Sequence, residues 1–240
     1  MGDFLIHAGF DVLAWLAAGA AGLWLMRSGR VSFPVPPPLR LNYIAALVFG
    51  AGVGAVAFGT ANLWLSGHSG VARSIEGAVA GAIVAIELYK RIAGIRLRTG
   101  ARFALPFAVG VTIGRIGCFL SGLDDFTHGT PTTLPWAHDF GDGVLRHPVQ
   151  LYESLAMAAF AAVYLWRVLR HDRFVIAQGF YLAAGFYGAQ RFVWEFLKPY
   201  GALIGPFTLF HLLSAAVFLY AVAMIATAPK PESAHERAFA

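Results

Sequence analysis

Apolar residues in this chain gather into long runs separated by short polar connections. A helix needs roughly 20 largely apolar residues to cross a bilayer, and about seven runs approach that length. They extend from Phe4 to Met26, Tyr43 to Leu65, Ser74 to Tyr89, Phe103 to Gly122, Pro148 to Val168, Phe174 to Leu197 and Phe207 to Ala226. The third is short and carries Glu76 at one end. The connections are brief except Leu123 to His147, which is rich in Asp, Thr, Gly and Pro and includes Trp136, a residue suited to a membrane interface. Pro34 to Pro38 reads as a stiff linker. No repeat and no separate soluble segment interrupts the pattern. The expected fold is all-α: a polytopic integral membrane protein of about seven transmembrane helices. It forms one domain over residues 1–228, with a short cytoplasmic tail, 229–240.

Composition agrees. Of 240 residues, 58% are hydrophobic and 13% charged, against about 25% charged in a soluble domain; the mean hydropathy is +0.64. A single cysteine, Cys118, excludes an internal disulfide and a cysteine-built metal centre. The net charge of +5 would suit nucleic acid if it formed one patch. Instead 13 of the 18 lysines and arginines fall in alternate connections and the tail, at Arg27, Arg30, Arg40, Lys90, Arg91, Arg96, Arg98, Arg102, Arg167, Arg170, Arg173, Lys230 and Arg237. Only Arg73, Arg146 and Lys198 fall on the other side. That asymmetry places the N-terminus outside and the C-terminus in the cytoplasm, and no nucleic-acid partner is expected. The N-terminus has no basic n-region and no small-residue cleavage site, so the first run is expected to be a span rather than a removed signal peptide.

The two remaining cations, Arg115 and Arg191, lie inside runs. A charge at membrane depth costs roughly 2.5–3.5 kcal/mol on insertion scales, so such a residue usually faces the protein interior. Arg115 sits in GRIGCFLSG, Gly114 to Gly122, about 10 Å below the outer end of its span at 1.5 Å per residue. Gly110, Gly114, Gly117 and Gly122 leave room for a helix or a ligand. Arg191 and Glu195 share a helix face at i, i+4. Glu76 lies close to the outer end of the third span. Gln150, Tyr152 and Glu153 occupy the first turns of the fifth, His211 those of the seventh, and His7 and Asp11 those of the first. Six spans thus put polar groups into the outer half. The inner half has little beyond Glu87, with Lys90 and Arg91 as neighbours. Cations and carboxylates around one outer cavity suit an anionic headgroup, whose phosphate matches arginine's planar fork. Blander readings stand beside this one. Arg115 snorkels, Arg191–Glu195 is a structural ion pair, Arg146 and His147 anchor an interface, and Gln150 and Glu153 bond neighbouring helices.

GRIGCFLSG, then Pro135–Trp136, RHPVQLYES and GFYGAQRFVWEFLKP resemble the prolipoprotein diacylglyceryl transferase family over roughly Ser74 to Ser214. The resemblance implies a seven-span enzyme of the bacterial inner membrane, with its active site toward the periplasm and no metal or organic cofactor. It implies transfer of diacylglyceryl from phosphatidylglycerol to the lipobox cysteine thiol of a preprolipoprotein, releasing glycerol 1-phosphate. Arg115 matches the arginine that holds the headgroup, Arg191 the second essential arginine, and Glu195 the acidic residue one turn later. Arg146, His147, Gln150, Tyr152 and Glu153 match RHPxQxYE. Cys118 stands where the family has asparagine. Leu123 stands where it has glutamate, with Asp124 and Asp125 as substitutes nearby, and Glu76 stands where it has histidine.

On this reading Arg115 and Arg191 clamp the phosphate, and Glu76 accepts the thiol proton directly or through Glu195 or a histidine. Cys118 is a small packing residue, and Asp124 and His211 complete the substrate-binding set. A lipid enzyme with another acceptor, and a non-catalytic phospholipid-binding protein or small transporter, are the alternatives. A transporter would carry polar groups through the inner half as well.

Overall fold

The computed structural model describes residues 2–124 and 126–228; Asp125 and the expected tail lie outside them. Seven α-helices form among the described residues: α1 (Gly2–Arg27), α2 (Arg40–Leu65), α3 (Ile75–Ile92), α4 (Ala104–Leu120), α5 (Val149–Leu169), α6 (Arg173–Glu195) and α7 (Leu209–Ala226). Each falls on one of the apolar runs, and local chemistry sets its start. Ser74 caps α3, its hydroxyl accepting from the Gly77 amide at 3.2 Å. Asp172 caps α6 through the Val175 amide at 3.0 Å. Pro148 stands just before α5, where its missing N–H costs little. Thr208 and His211 form a capping box on α7: the Thr208 hydroxyl accepts from the His211 amide, and His211 Nδ1 accepts from the Thr208 amide.

Five stretches, Leu5–Arg27, Pro37–Leu65, Ala101–Leu120, Val149–Leu169 and Leu209–Ala226, are long and apolar enough to cross a membrane. The cores of α3 and α6 fall short of that standard because they carry polar residues. α3 holds Glu76, Glu87, Lys90 and Arg91, and α6 holds Gln178, Gln190, Arg191 and Glu195. Most of these are buried in the bundle, so neighbouring helices shield them. In contrast α1 and α2 expose Trp15, Leu16, Val48 and Phe49, an apolar surface suited to lipid rather than water.

α1 lies along α4, α2 along α3, α6 along α7, and α5 packs against α4 and α6. The crossing of α2 with α3 is close enough to exclude side chains. A Cβ added to Gly54 would overlap the Gly77 carbonyl oxygen, and one added to Gly81 would overlap that of Gly50. Two small-xxx-small pairs, Gly50/Gly54 and Gly77/Gly81, thus interlock and fix the turn of α3 that carries Glu76. Below that turn Ala108, Val111, Met157 and Tyr187 form an apolar floor.

The connections after α4 and α6 are more ordered than the sequence pattern suggests. Strands β1 (His138–Asp139) and β2 (Leu145–Arg146) pair antiparallel. Asp139 Oδ1 nucleates the turn between them by accepting from the amides of Gly141, Asp142 and Gly143 at 2.8–3.1 Å. A second hairpin, β3 (Ala202–Ile204) with β4 (Phe207–Thr208), leads into α7.

Candidate active site

Three carboxylates and three cations meet where α3, α4, α5 and α6 converge. Glu153, in the second turn of α5, gathers all three cations. Its Oε2 pairs with Nε of Arg115 from α4. Its Oε1 accepts from Nη1 of Arg191 at 2.5 Å and lies 2.7 Å from Nζ of Lys198. Arg191 also donates from Nε to Glu76 Oε2 and from Nη2 to Glu195 Oε2, each at 3.0 Å. The outer oxygens of those two carboxylates are occupied as well. Ser214 Oγ donates to Glu76 Oε1 at 2.5 Å, and Thr208 Oγ1 donates to Glu195 Oε1 at 2.8 Å. No side chain of the six is more than 6% exposed. Ions so deep are tolerable only when paired and hydrogen-bonded, and here the charges balance.

The two arginines are held differently. Arg191 gives each guanidinium nitrogen to a carboxylate, on α3, α5 and α6 in turn, engaging three of its five N–H donors. Arg115 meets one carboxylate, Glu153; its Nη1 lies 3.9 Å from Cys118 Sγ. No second carboxylate pairs with Arg115 among the described residues, which leaves an edge of its fork available to an anion. Near the cluster the fully buried Tyr187 hydroxyl and both amide atoms of Gln150 have no hydrogen-bond partner among those residues, nor has Nε2 of His211 at the α7 cap. Buried polar groups are normally paired. Tyr187 lies one turn before Arg191, and Gln150 one turn before Glu153.

The other expected site residues lie elsewhere. Arg146 turns away from the cluster to grip Asp142 with two hydrogen bonds, 2.7 and 2.8 Å long. That grip holds the Asp142 carboxyl below the usual carboxylate range. His147 Nδ1 lies 3.4 Å from the Tyr152 hydroxyl, which accepts from Trp136 Nε1 at 2.7 Å. These residues form a rim beside the cluster on which Trp194 packs against Tyr152. Asp124 is exposed in the turn after α4. His211 holds the α7 cap among Phe192, Phe196 and Phe207. Cys118 is buried between Arg115 and His7, whose Nε2 is 3.8 Å from Sγ.

Lys198 and Tyr187 belong to the cluster although the sequence pattern does not single them out. Lys198 counts there only as one more charge in an outer connection. Its signal was position: it follows Glu195 by three residues, as Tyr187 precedes Arg191 by four. In the fold Lys198 is enclosed, and burial pushes its ammonium down to about 8. An apolar cavity of about 350 Å³ follows α3 from Ile75 to Glu87, between Phe107, Phe103 and Tyr43, and its Phe107 wall packs on Tyr187 with ring centroids 5.2 Å apart. Those twelve residues of helix rise about 18 Å.

Comparison with known proteins identifies the family. The family model described as prolipoprotein diacylglyceryl transferase matches residues 16–227. Among curated relatives, each named phosphatidylglycerol–prolipoprotein diacylglyceryl transferase, that of Geobacter sulfurreducens is 35% identical over 158 residues, 63% of this chain and 59% of the relative. That of Cupriavidus pinatubonensis is 29% identical over 197 residues, 76% and 70% of the two chains. That of Nitratidesulfovibrio vulgaris is 37% identical over 136 residues, 55% and 48%. The chain thus spans 59% of the first relative's length and about half of the third's. No solved structure matches it. With a family match running from α1 to the end of α7 over the buried Arg115–Glu153–Arg191 array, the chain belongs to the prolipoprotein diacylglyceryl transferase family.

Proposed function

We propose that this protein transfers diacylglyceryl from phosphatidylglycerol to the lipobox cysteine of a preprolipoprotein. On this reading all seven helices cross the bacterial inner membrane, and the cluster opens toward the periplasm. The observation that carries the proposal is Arg115, a buried guanidinium held by a single carboxylate among the described residues, together with an apolar cavity about 18 Å long that starts at Ile75 and Phe107, the latter packed on Tyr187. A phosphate ester with acyl chains has both halves of that chemistry. The free edge of Arg115 receives the phosphate, and the cavity, longer than half of the ~30 Å hydrocarbon core, receives a chain. The Tyr187 hydroxyl and the Gln150 amide supply hydrogen bonds to glycerol oxygens.

Arg191 and Glu153 then act as a frame. Glu153 fixes Nε of Arg115, and Arg191 and Lys198 fix Glu153, so the phosphate-facing edge is oriented before substrate arrives. When the acceptor sulfur attacks glycerol C3, the C3–O bond breaks and negative charge grows on the departing glycerol phosphate. A fixed cation in a dry site stabilises that charge without reorganising. The test is a mass measurement on a lipobox peptide incubated with the protein and phosphatidylglycerol vesicles, with Arg115→Lys and Arg115→Ala beside it. A diacylglyceryl mass gain in the wild type that is lost in Arg115→Ala and strongly reduced in Arg115→Lys supports the reading. A wild type that binds the lipid and leaves the peptide unchanged overturns it.

A further inference from the structure

The cavity along α3 does not end as it begins. From Ile75 to Ile86 the helix gives it only apolar side chains, among them Ala78, Val79, Ala82 and Ile83. The polar side chains of its wall gather at the far end, around Glu87. Tyr220 donates to Glu87 Oε1 at 2.9 Å. Nζ of the buried Lys90 donates to the two oxygens of the same carboxylate at 3.1 and 3.2 Å. Tyr181 meets Tyr220 edge to face. Tyr43 packs with Ile86, and its hydroxyl shares a 2.8 Å hydrogen bond with Thr99. Behind this floor lies a second polar layer, where Arg98 stacks over the Tyr181 ring at 5.3 Å and donates to Gln178 at 3.0 Å.

We propose that this polar floor is a chain-length gauge: Glu87, Tyr220, Tyr43 and Thr99 stop an acyl chain that enters at Ile75 and Phe107, and so set which phospholipids the protein selects. The occupant rests on the transfer reading above, in which the cavity receives one chain of the lipid. Lipid tails and the cavity wall are both apolar, so a methylene moves from one to the other at little cost. A methylene pushed into the floor meets hydrogen-bonded polar groups that it cannot replace. Separating a buried donor from its acceptor leaves both unsatisfied. Glu87 is the strictest of these groups, since its carboxylate holds Lys90 and Tyr220 at once. The length of the cavity sets the limit. Three extended bonds span about 3.8 Å, so the same zigzag in an alkyl chain fits roughly 14 bonds into about 18 Å. Myristoyl and palmitoyl chains therefore fill the cavity, and stearoyl and longer chains overrun it.

The test offers the purified protein, in detergent micelles, an equimolar mixture of saturated phosphatidylglycerols from didecanoyl to diarachidoyl. Retained lipids are read by native mass spectrometry, and transfer of each to a lipobox peptide is measured on the same samples. In the wild type we expect retention to hold through dipalmitoyl and to fall roughly tenfold at distearoyl, as two surplus methylenes lose their apolar surroundings. Two variants should move that break in opposite directions. Ile83→Phe fills the cavity above the floor and should shift the break to shorter chains. Tyr220→Leu removes a ring from the floor while Glu87 keeps Lys90, and should shift the break to longer chains. A damaged fold does not produce opposite shifts, and either variant decides the matter if the other fails to fold. A wild-type profile that is flat across the series, or variant profiles that coincide with it, overturn the proposal. Length-selective retention that follows the two variants, with no mass added to the peptide, removes the transfer reading and upholds the gauge.

Discussion

Lys198 Nζ lies 2.7 Å from Glu153 Oε1 with neither side chain open to the surface. Burial pushes the Lys198 ammonium down to about 8, and the Arg191 charge adds to the effect. In the unfolded chain a lysine titrates near 10.4. Between these values the folded protein has released a proton that the unfolded chain keeps. The contribution of Lys198 to stability is therefore complete above about pH 10.4 and is lost as pH falls through about 8. Raising the pH from about 8 to about 10 should raise the unfolding temperature of the wild type relative to Lys198→Met. Over the same range the array acquires an excess negative charge, so phosphatidylglycerol binding should weaken in the wild type and stay flat in Lys198→Met. Thermal unfolding and lipid binding at the two pH values check both.

Glu153 should be the residue whose loss costs most. Removing it leaves three buried cations facing two carboxylates, and breaking a buried pair typically costs about 3–5 kcal/mol. Glu153→Gln should therefore unfold at much lower temperature and lose transfer. Combining it with Lys198→Met restores the charge balance, so the double variant should recover part of the stability with little activity. A double-mutant cycle measured by thermal or denaturant unfolding reads the coupling directly.

Tyr187 should separate stability from function. Its buried hydroxyl has no partner among the described residues, so removing it leaves no group newly unsatisfied and should leave stability level or slightly higher. If the hydroxyl meets the lipid headgroup, Tyr187→Phe should weaken binding by about tenfold, the equivalent of one hydrogen bond of ~1–1.5 kcal/mol. An unfolding curve paired with a binding isotherm on the same sample decides the matter.

The α2–α3 crossing should tolerate no side chain at its centre. Gly54→Ala puts a methyl group into the Gly77 carbonyl, and overpacking of this sort typically costs about 1–3 kcal/mol. Gly52→Ala, two residues away, meets nothing within 4 Å and should be neutral or mildly stabilising, since alanine suits a helix better by up to ~1 kcal/mol. Equal thermal stability of the two variants would contradict the close approach.

The seven apolar runs were legible because their length is imposed by the solvent they face. Arg115, Glu153, Arg191, Glu195 and Glu76 were legible as isolated polar residues inside apolar runs, and they do come together. Their partners were not. Arg191 and Glu76 are 115 residues apart in the chain, and Arg191 and Glu153 are 38 apart. Only the Arg191–Glu195 pair has helical spacing. Lys198 was obscured because a charge count by connection ignores burial. The glycine pairs of α2 and α3 were visible but ambiguous, since helical spacing does not say which helix each faces. The β1–β2 hairpin was hidden because strands of two residues are too short to show alternation.

The pairing of Arg191 with carboxylates on α3, α5 and α6 has a consequence for biogenesis. As helices leave the translocon one by one, α3 and α4 arrive with Glu76 and Arg115 before α5 and α6 have supplied Glu153 and Arg191. If these helices span the bilayer as proposed, an unpaired Arg115 costs up to roughly 2.5–3.5 kcal/mol, the insertion-scale value at mid-depth, and Glu76 in the first turn of α3 costs less. The early helices must therefore wait in a shielded or water-lined setting until the sixth helix closes the charge ledger. A nascent chain arrested between α5 and α6 should be held by the insertion machinery, and one extended through α6 should be released into the lipid.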